Sequence, residues 1–335
     1  MKNEELRMKK LLKKTLKLIL PVVLGGFILF WVYRAFDFTK AGDVLLHGTN
    51  WWWMLFSLVF GVFAQVFRGW RWRQTLEPLD AFPKKSDCVN AIFISYAASL
   101  VVPRIGEVSR CGILAKYDDV SFAKSLGTVV TERLVDTLTI LLITGITVLL
   151  QLPIFVTFLQ QTGTKIPSLV HLLTSVWFYI ILFCFIGVAI LLYYLRKTLF
   201  FYERVKGFVL NIWEGIMSLR GVRNIPLFIF YTLAIWTCYF LHFYFTFYCF
   251  AFTAHLGILA ALVMFVGGTF AVIVPTPNGA GPWHFAIISM MMLYGVNVTD
   301  AGIFALIVHG IQTFLVVLLG IYGFAALPFT NRHRG

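Results

Sequence analysis

Two segments of this chain interrupt apolar runs with proline, glycine and charge: Val101-Val-Pro-Arg-Ile-Gly-Glu-Val-Ser-Arg110 and Val274-Pro-Thr-Pro-Asn-Gly-Ala-Gly-Pro-Trp-His284. The first offers Arg104, Glu107 and Arg110, with Glu107 three residues from each arginine, so that on a helix all three share one side. Two arginines against one glutamate leave a surplus positive charge, and a planar guanidinium suits bidentate recognition of a phosphate. The competing reading is a structural ion pair with side chains snorkelling to the interface. A third cluster, Thr131-Glu-Arg-Leu-Val-Asp136, lies at the start of another apolar run. Glu132 and Asp136 are four apart and share a helical face, from which they could pair with Arg104, Arg110 or Arg133. The alternative there is a cytoplasmic helix start with ordinary ion pairs. An ionisable residue inside a membrane costs roughly 2.5–3.5 kcal/mol on insertion scales, which makes each of these a candidate binding residue.

The second interruption carries Asn278, Gly279, Gly281 and His284. Glycines let backbone amides approach a ligand, and a helix beginning after them points its positive end at an anion. His284 has the side chain that titrates nearest neutrality, although a membrane histidine is as often a hydrogen-bonded structural residue. His309 and Gln312 are weaker candidates, and Gln65 and Arg68 read as interfacial. Pro/Gly-interrupted hydrophobic segments at matching places in two halves of a chain point to the binding site of a transporter. Broken backbone at membrane depth also requires a protein or wet lining.

Enzyme chemistry is hard to find. There is no P-loop, no HExxH and no GxSxG, and no catalytic residue, metal ligand or cofactor is assigned. Asp118-Asp119 is too small a cluster for a metal, and Cys88, Cys111, Cys184, Cys238 and Cys249 are scattered without metal or disulfide spacing. Asn297-Val-Thr299 is a chance-level sequon.

The elements that hold these residues are membrane helices. Of 335 residues 59% are hydrophobic and only 13% charged, against roughly a quarter charged in a soluble domain. The formal net charge of +13 sits at the ends of apolar runs, where membrane-flanking charge belongs, and not in a nucleic-acid-binding face. Full spans are expected at 17–35, 51–69, 125–150, 172–195, 226–250 and 300–327, with broken hairpins in 87–115 and 258–296. The basic stretches 9–17, 68–85, 116–124 and 196–223 and the arginines at 332 and 334 place both termini in the cytoplasm. The segments 151–171 and 251–257 then lie outside. The fold expected is all-α and polytopic: about six full transmembrane helices plus two broken or re-entrant hairpins. The unit span–hairpin–span recurs at 51–150 and 226–327 with opposite orientation, an inverted repeat. Residues 17–330 form one membrane domain between tails 1–16 and 331–335, and 198–223 reads as an interfacial helix. Trp51-Trp-Trp53, Trp70 and Trp72 read as interface belts.

The order PRxGExxR, ERxxD, then PxPxGxG before a helix resembles the flippase-like family that forms the membrane region of lysylphosphatidylglycerol synthase. Pro103, Arg104, Gly106, Glu107 and Arg110 match the first motif, Glu132, Arg133 and Asp136 the second, and Pro275, Gly279 and Gly281 the third. The likeness runs nearly the whole length from the first span. Ala97, Ala98 and Ser99 stand where the family often has asparagines, and His284 where it often has an acidic residue. The resemblance implies a multi-pass protein of the bacterial cytoplasmic (inner) membrane that moves a phospholipid or modified lipid between leaflets. Its partner would be a lipid with an anionic phosphate headgroup. The synthase domain that attaches lysine is not in the chain, so lysyl-lipid synthesis is not expected of it. A membrane subunit serving a separate lipid- or glycan-modifying transferase, and a small-solute transporter, are the rival readings.

Overall fold

The structure, a computed structural model, describes residues 20–34, 36–152 and 221–331. Helix α1 runs Leu20–Tyr33 and meets the next helix at 97°. The restart is capped: Asp37 accepts hydrogen bonds from the backbone N–H groups of Thr39 and Lys40 (2.9 and 3.1 Å), opening α2, Phe38–Asp43. The chain continues through the wider turn Val44–Gly48. Asn50 then caps α3, Trp51–Leu76, by accepting from the Trp52 N–H. Helices α4 (Lys85–Val101) and α5 (Ile105–Tyr117) form a hairpin around the first interruption, and α6 is Phe122–Leu150. After residue 221 the same order returns. A long helix α7 (Ile225–Tyr244) precedes the pair α8 (Ile258–Ala271) and α9 (Pro282–Leu293), which flanks the second interruption, and α10 (Val298–Thr330) follows.

Among the described residues four helical stretches are long and apolar enough to cross a membrane: Trp51–Leu79, Phe122–Leu150, Ile225–Cys249 and Val298–Thr330, or up to five if the bent α1–α2 pair counts as one. These account for four of the six expected spans. The expected span 17–35 is described from Leu20 and ends as helix α1 at Tyr33, counting as a fifth span only together with α2; the expected span at 172–195 lies outside the described residues, as does the expected interfacial helix up to residue 220. The hairpin helices have 17, 13, 14 and 12 residues. At 1.5 Å per residue they reach about 18–26 Å, short of a hydrocarbon core of about 30 Å.

Packing follows a reciprocal pattern. Helix α3 lies against α7, α4 against α10, and α8 against α6, so each hairpin leans on the last helix of the other unit. Gly320 and Gly323 bring α10 close to Ala97 and Asn90 of α4. One apolar core gathers Met54, Phe243, Phe247, Ile287, Phe304 and their neighbours; a second gathers Trp72, Leu76, Ile92, Leu114 and Val129. The outward faces carry Phe63, Leu142, Ile229 and Phe324, as a lipid-facing surface does. At the head of α3, Trp52 is 83% exposed.

Candidate functional site

The second core encloses charge. Arg68 Nη1 and Arg71 Nη2 of α3 each lie 2.7 Å from a different oxygen of Asp136 on α6. Arg71 Nε reaches Glu132 at 3.5 Å, and Arg110 of α5 donates from Nη1 to Glu132 Oε2 at 2.7 Å. Arg110 also rests over the Trp72 ring at 4.5 Å, and Trp72 donates to Thr128 at 3.0 Å. Outside this shell Arg133 Nε pairs with Glu107 at 3.0 Å and its Nη1 stands 3.9 Å from Asp136. Three helices that approach at one end thus bring together four arginines and three carboxylates. The spacing explains the fit: Arg68 and Arg71 are one turn apart on α3, as Glu132 and Asp136 are on α6, so two facing ladders meet rung to rung.

Here the structure corrects the sequence reading at several points. Helix α3 runs on past residue 69, so Arg68 and Arg71 are 3% and 0% exposed and hold the carboxylates, where Arg68 had read as interfacial and Arg71 as flanking charge. Gln65 is buried in the same helix, and Trp72 is fully covered beneath Arg110 where a belt was expected. Arg104, Glu107 and Arg110 do not act as one triad. Arg104 is left-handed (φ 67°) at the head of α5, Glu107 turns to Arg133, and Arg110 turns inward to Glu132. The expected partnership of Glu132 with Arg110 is present, and Arg133 stands near Asp136; what the sequence reading missed is Arg68 and Arg71, whose helical spacing on α3 matches that of the two carboxylates.

Arg104 is exposed and makes no ion pair with the described residues. It lines a cavity of about 540 Å³ with Ser99, Pro103, Glu107 and Arg133 on one side and Val274, Pro275, Thr276, Asn278 and Gly279 on the other. Both interruptions therefore border one space. Helix α4 packs directly on the turn Pro277–Gly279. Gly106 allows the hairpin to close, because any Cβ there would collide with the Ser95 carbonyl of α4. Next to this cavity lies a chamber of about 360 Å³ with Trp236, Phe243, Phe265 and Trp283 in its wall, reached past Tyr96, Arg133 and Val272, which line both.

The second interruption is pinned to α10. Asn278, left-handed at φ 52°, donates from Nδ2 to Thr313 Oγ1 at 2.7 Å, and its carbonyl lies 3.1 Å from His309 Nε2. Gly281 and His284 do not line the shared cavity. The Gly281 N–H donates to His284 Nδ1 at 3.4 Å, and His284, 3% exposed, packs among Tyr33, Trp283 and His309. Glu132, Arg110 and Asp136 also lie behind the wall, while Arg104, Glu107, Arg133, Asn278 and Gly279 face the cavity. Among the described residues no three His, Cys, Asp or Glu side chains gather as a metal site would require.

Helices of this length, apolar faces and a charged core closed off from them define an integral, polytopic helical membrane protein. The family model described as the lysylphosphatidylglycerol synthase TM region matches residues 18–320, and the chain belongs to that family. Comparison with curated proteins and with solved structures returned no match.

Proposed function

We propose that this protein moves a phospholipid between membrane leaflets, with the phosphate held at Arg104 beside Arg133. The observation that carries the reading is the shared cavity: two interrupted hairpins border about 540 Å³ of space whose wall holds an exposed arginine with no ion pair among the described residues. Four arginines meet three carboxylates in the adjoining shell, and Arg104 adds to the surplus, so an anion is the favoured guest. The aromatic chamber alongside suits the apolar part of a lipid. Family membership supports a lipid role, because the family is named for the membrane region of a lipid synthase.

The reciprocal packing supports an inverted repeat, in which α4–α5 enters from the cytoplasmic face and α8–α9 from outside. The protein sits in the bacterial cytoplasmic membrane with both termini inside. The alternative of a membrane subunit for a separate transferase draws on the same family name, and co-purification of a transferase would favour it. A small-solute transporter would work without any particular lipid.

The test is reconstitution into vesicles with a labelled anionic phospholipid and an impermeant quencher that reads the outer-leaflet fraction. Protein-containing vesicles should exchange the lipid faster than empty ones, and Arg104→Ala should remove most of the gain. Equal rates with and without protein refute the proposal.

A further inference from the structure

Glu107 stands where an anion would be drawn. It lies in the first turn of α5, where the positive end of the helix favours negative charge. Its carboxylate is also 3.0 Å from Arg133 Nε, across the gap to α6. On its inner side Arg133 meets a carboxylate already taken: its Nη1 is 3.9 Å from Asp136, whose two oxygens lie 2.7 Å from Arg68 and Arg71. The Glu107–Arg133 pair is not sealed in the core as Arg110–Glu132 is. Its side chains are 36% and 44% exposed, against 0% and 1% for the inner pair, and both line the cavity that holds Arg104. Arg133 lines the aromatic chamber as well, so it stands where the two spaces join.

Resting on the translocase reading, we infer that Glu107 is a built-in stand-in for the guest's phosphate: it holds Arg133 until an anion arrives, then gives it up. A half-exposed ion pair contributes little, so Arg133 can change partners. A phosphate ester offers more oxygens than one carboxylate, and it can engage Arg104 and Arg133 together. Once displaced, the Glu107 carboxylate remains on the wall of the same cavity, beside a bound anion of like sign. That repulsion favours release, and a path needs a site firm enough to admit its guest and weak enough to let it go. The rival role is a clamp that only ties α5 to α6. The two roles differ in sign, because removing a clamp loosens the site and removing a competitor tightens binding.

The experiment is binding of phosphatidic acid to the purified full-length protein in detergent, with glycerol 3-phosphate as the soluble counterpart of its headgroup. Wild type, Glu107→Gln, Arg133→Gln and the double variant are compared, each checked by thermal unfolding. Glu107→Gln keeps the size of the side chain and loses its charge, and it should bind the lipid about fivefold more tightly than wild type, the worth of one weak ion pair. In the Arg133→Gln background the same change should alter binding by less than about twofold. Unchanged or weaker binding by folded Glu107→Gln overturns the stand-in. An equal gain in both backgrounds overturns it too, since Glu107 would then repel the guest without holding Arg133. If Glu107→Gln does not fold, Glu107→Asp takes its place: a carboxylate one methylene shorter should give a smaller gain, and a loss overturns the inference. Glycerol 3-phosphate binding as tightly as the lipid would overturn the lipid as the guest, in favour of a soluble phosphate ester. In vesicles, Glu107→Gln should exchange lipid more slowly than wild type, because release slows; an equal or faster rate overturns the role in release. The two readings fail separately. No exchange by the wild type, with the fivefold gain in binding intact, would defeat translocation alone. Weaker binding in Arg104→Ala with no gain in Glu107→Gln would defeat the stand-in alone.

Discussion

Arg104 and Arg110 lie in one motif and belong to different physical worlds. Arg104 is exposed at a cavity wall and has no ion pair among the described residues, so removing it orphans none of them. Arg104→Ala should therefore unfold at the wild-type temperature while losing most lipid exchange. Arg104→Lys should fall between the two, because it keeps the charge and loses the planar fork. Arg110 is 1% exposed against a fully buried Glu132. Stripping one partner from a buried pair costs about 3–5 kcal/mol, whereas replacing both with apolar residues of similar volume is often neutral. Thermal unfolding should show a large loss for Arg110→Ala or Glu132→Ala and substantial recovery in the double variant Arg110→Met/Glu132→Leu. A mild effect of Glu132→Ala on stability would mean that the network is looser than its 2.7 Å contact indicates.

At the scale of the element, the interruptions were legible because proline, glycine and charge cannot continue an apolar helix. The partners across space were not. Helix α3 gives no sign in its own sequence of where it leaves the membrane, since Arg68, Arg71 and Arg73 serve equally as flanking charge or as buried rungs. Only the facing ladder Glu132–Asp136 decides between them, and that requires knowing that α3 and α6 are neighbours. The same limit hid that Gln65 of α3 and Gln312 of α10 line one space. The glycines were more readable. Gly281 has φ +93°, and a Cβ would lie 2.8 Å from Ile28 Cβ on α1 and 2.9 Å from the Gly25 carbonyl. Gly281→Val is strained in its backbone and collides with α1, so it should displace the start of α9, which supports the Asn278 turn. Lipid exchange should fall by at least about tenfold while a protease-protection pattern of the long spans stays unchanged; wild-type exchange would show that the turn tolerates the shift.

Across the whole molecule, the order of helices and their partners imposes a constraint that no single element carries. Two hairpins too short to cross reach one cavity, and each leans on the final helix of the opposite unit. If both entered from the same face, the charge rule would place the uncharged stretch 251–257 beside the basic segments 68–85 and 116–124. The proposed entry from opposite faces avoids this and would let the breaks meet in the middle of the membrane, where the proposed translocation requires a headgroup to pass. Cysteine labelling reads the arrangement directly. Lys116 lies in the last turn of α5 and His255 precedes α8, and both are exposed. In a cysteine-free background, an impermeant maleimide applied to intact cells should label His255→Cys at once and Lys116→Cys only after permeabilisation. Labelling of both from the same side would place the two hairpins on one face and remove the inverted repeat, leaving the shared cavity without a route between leaflets.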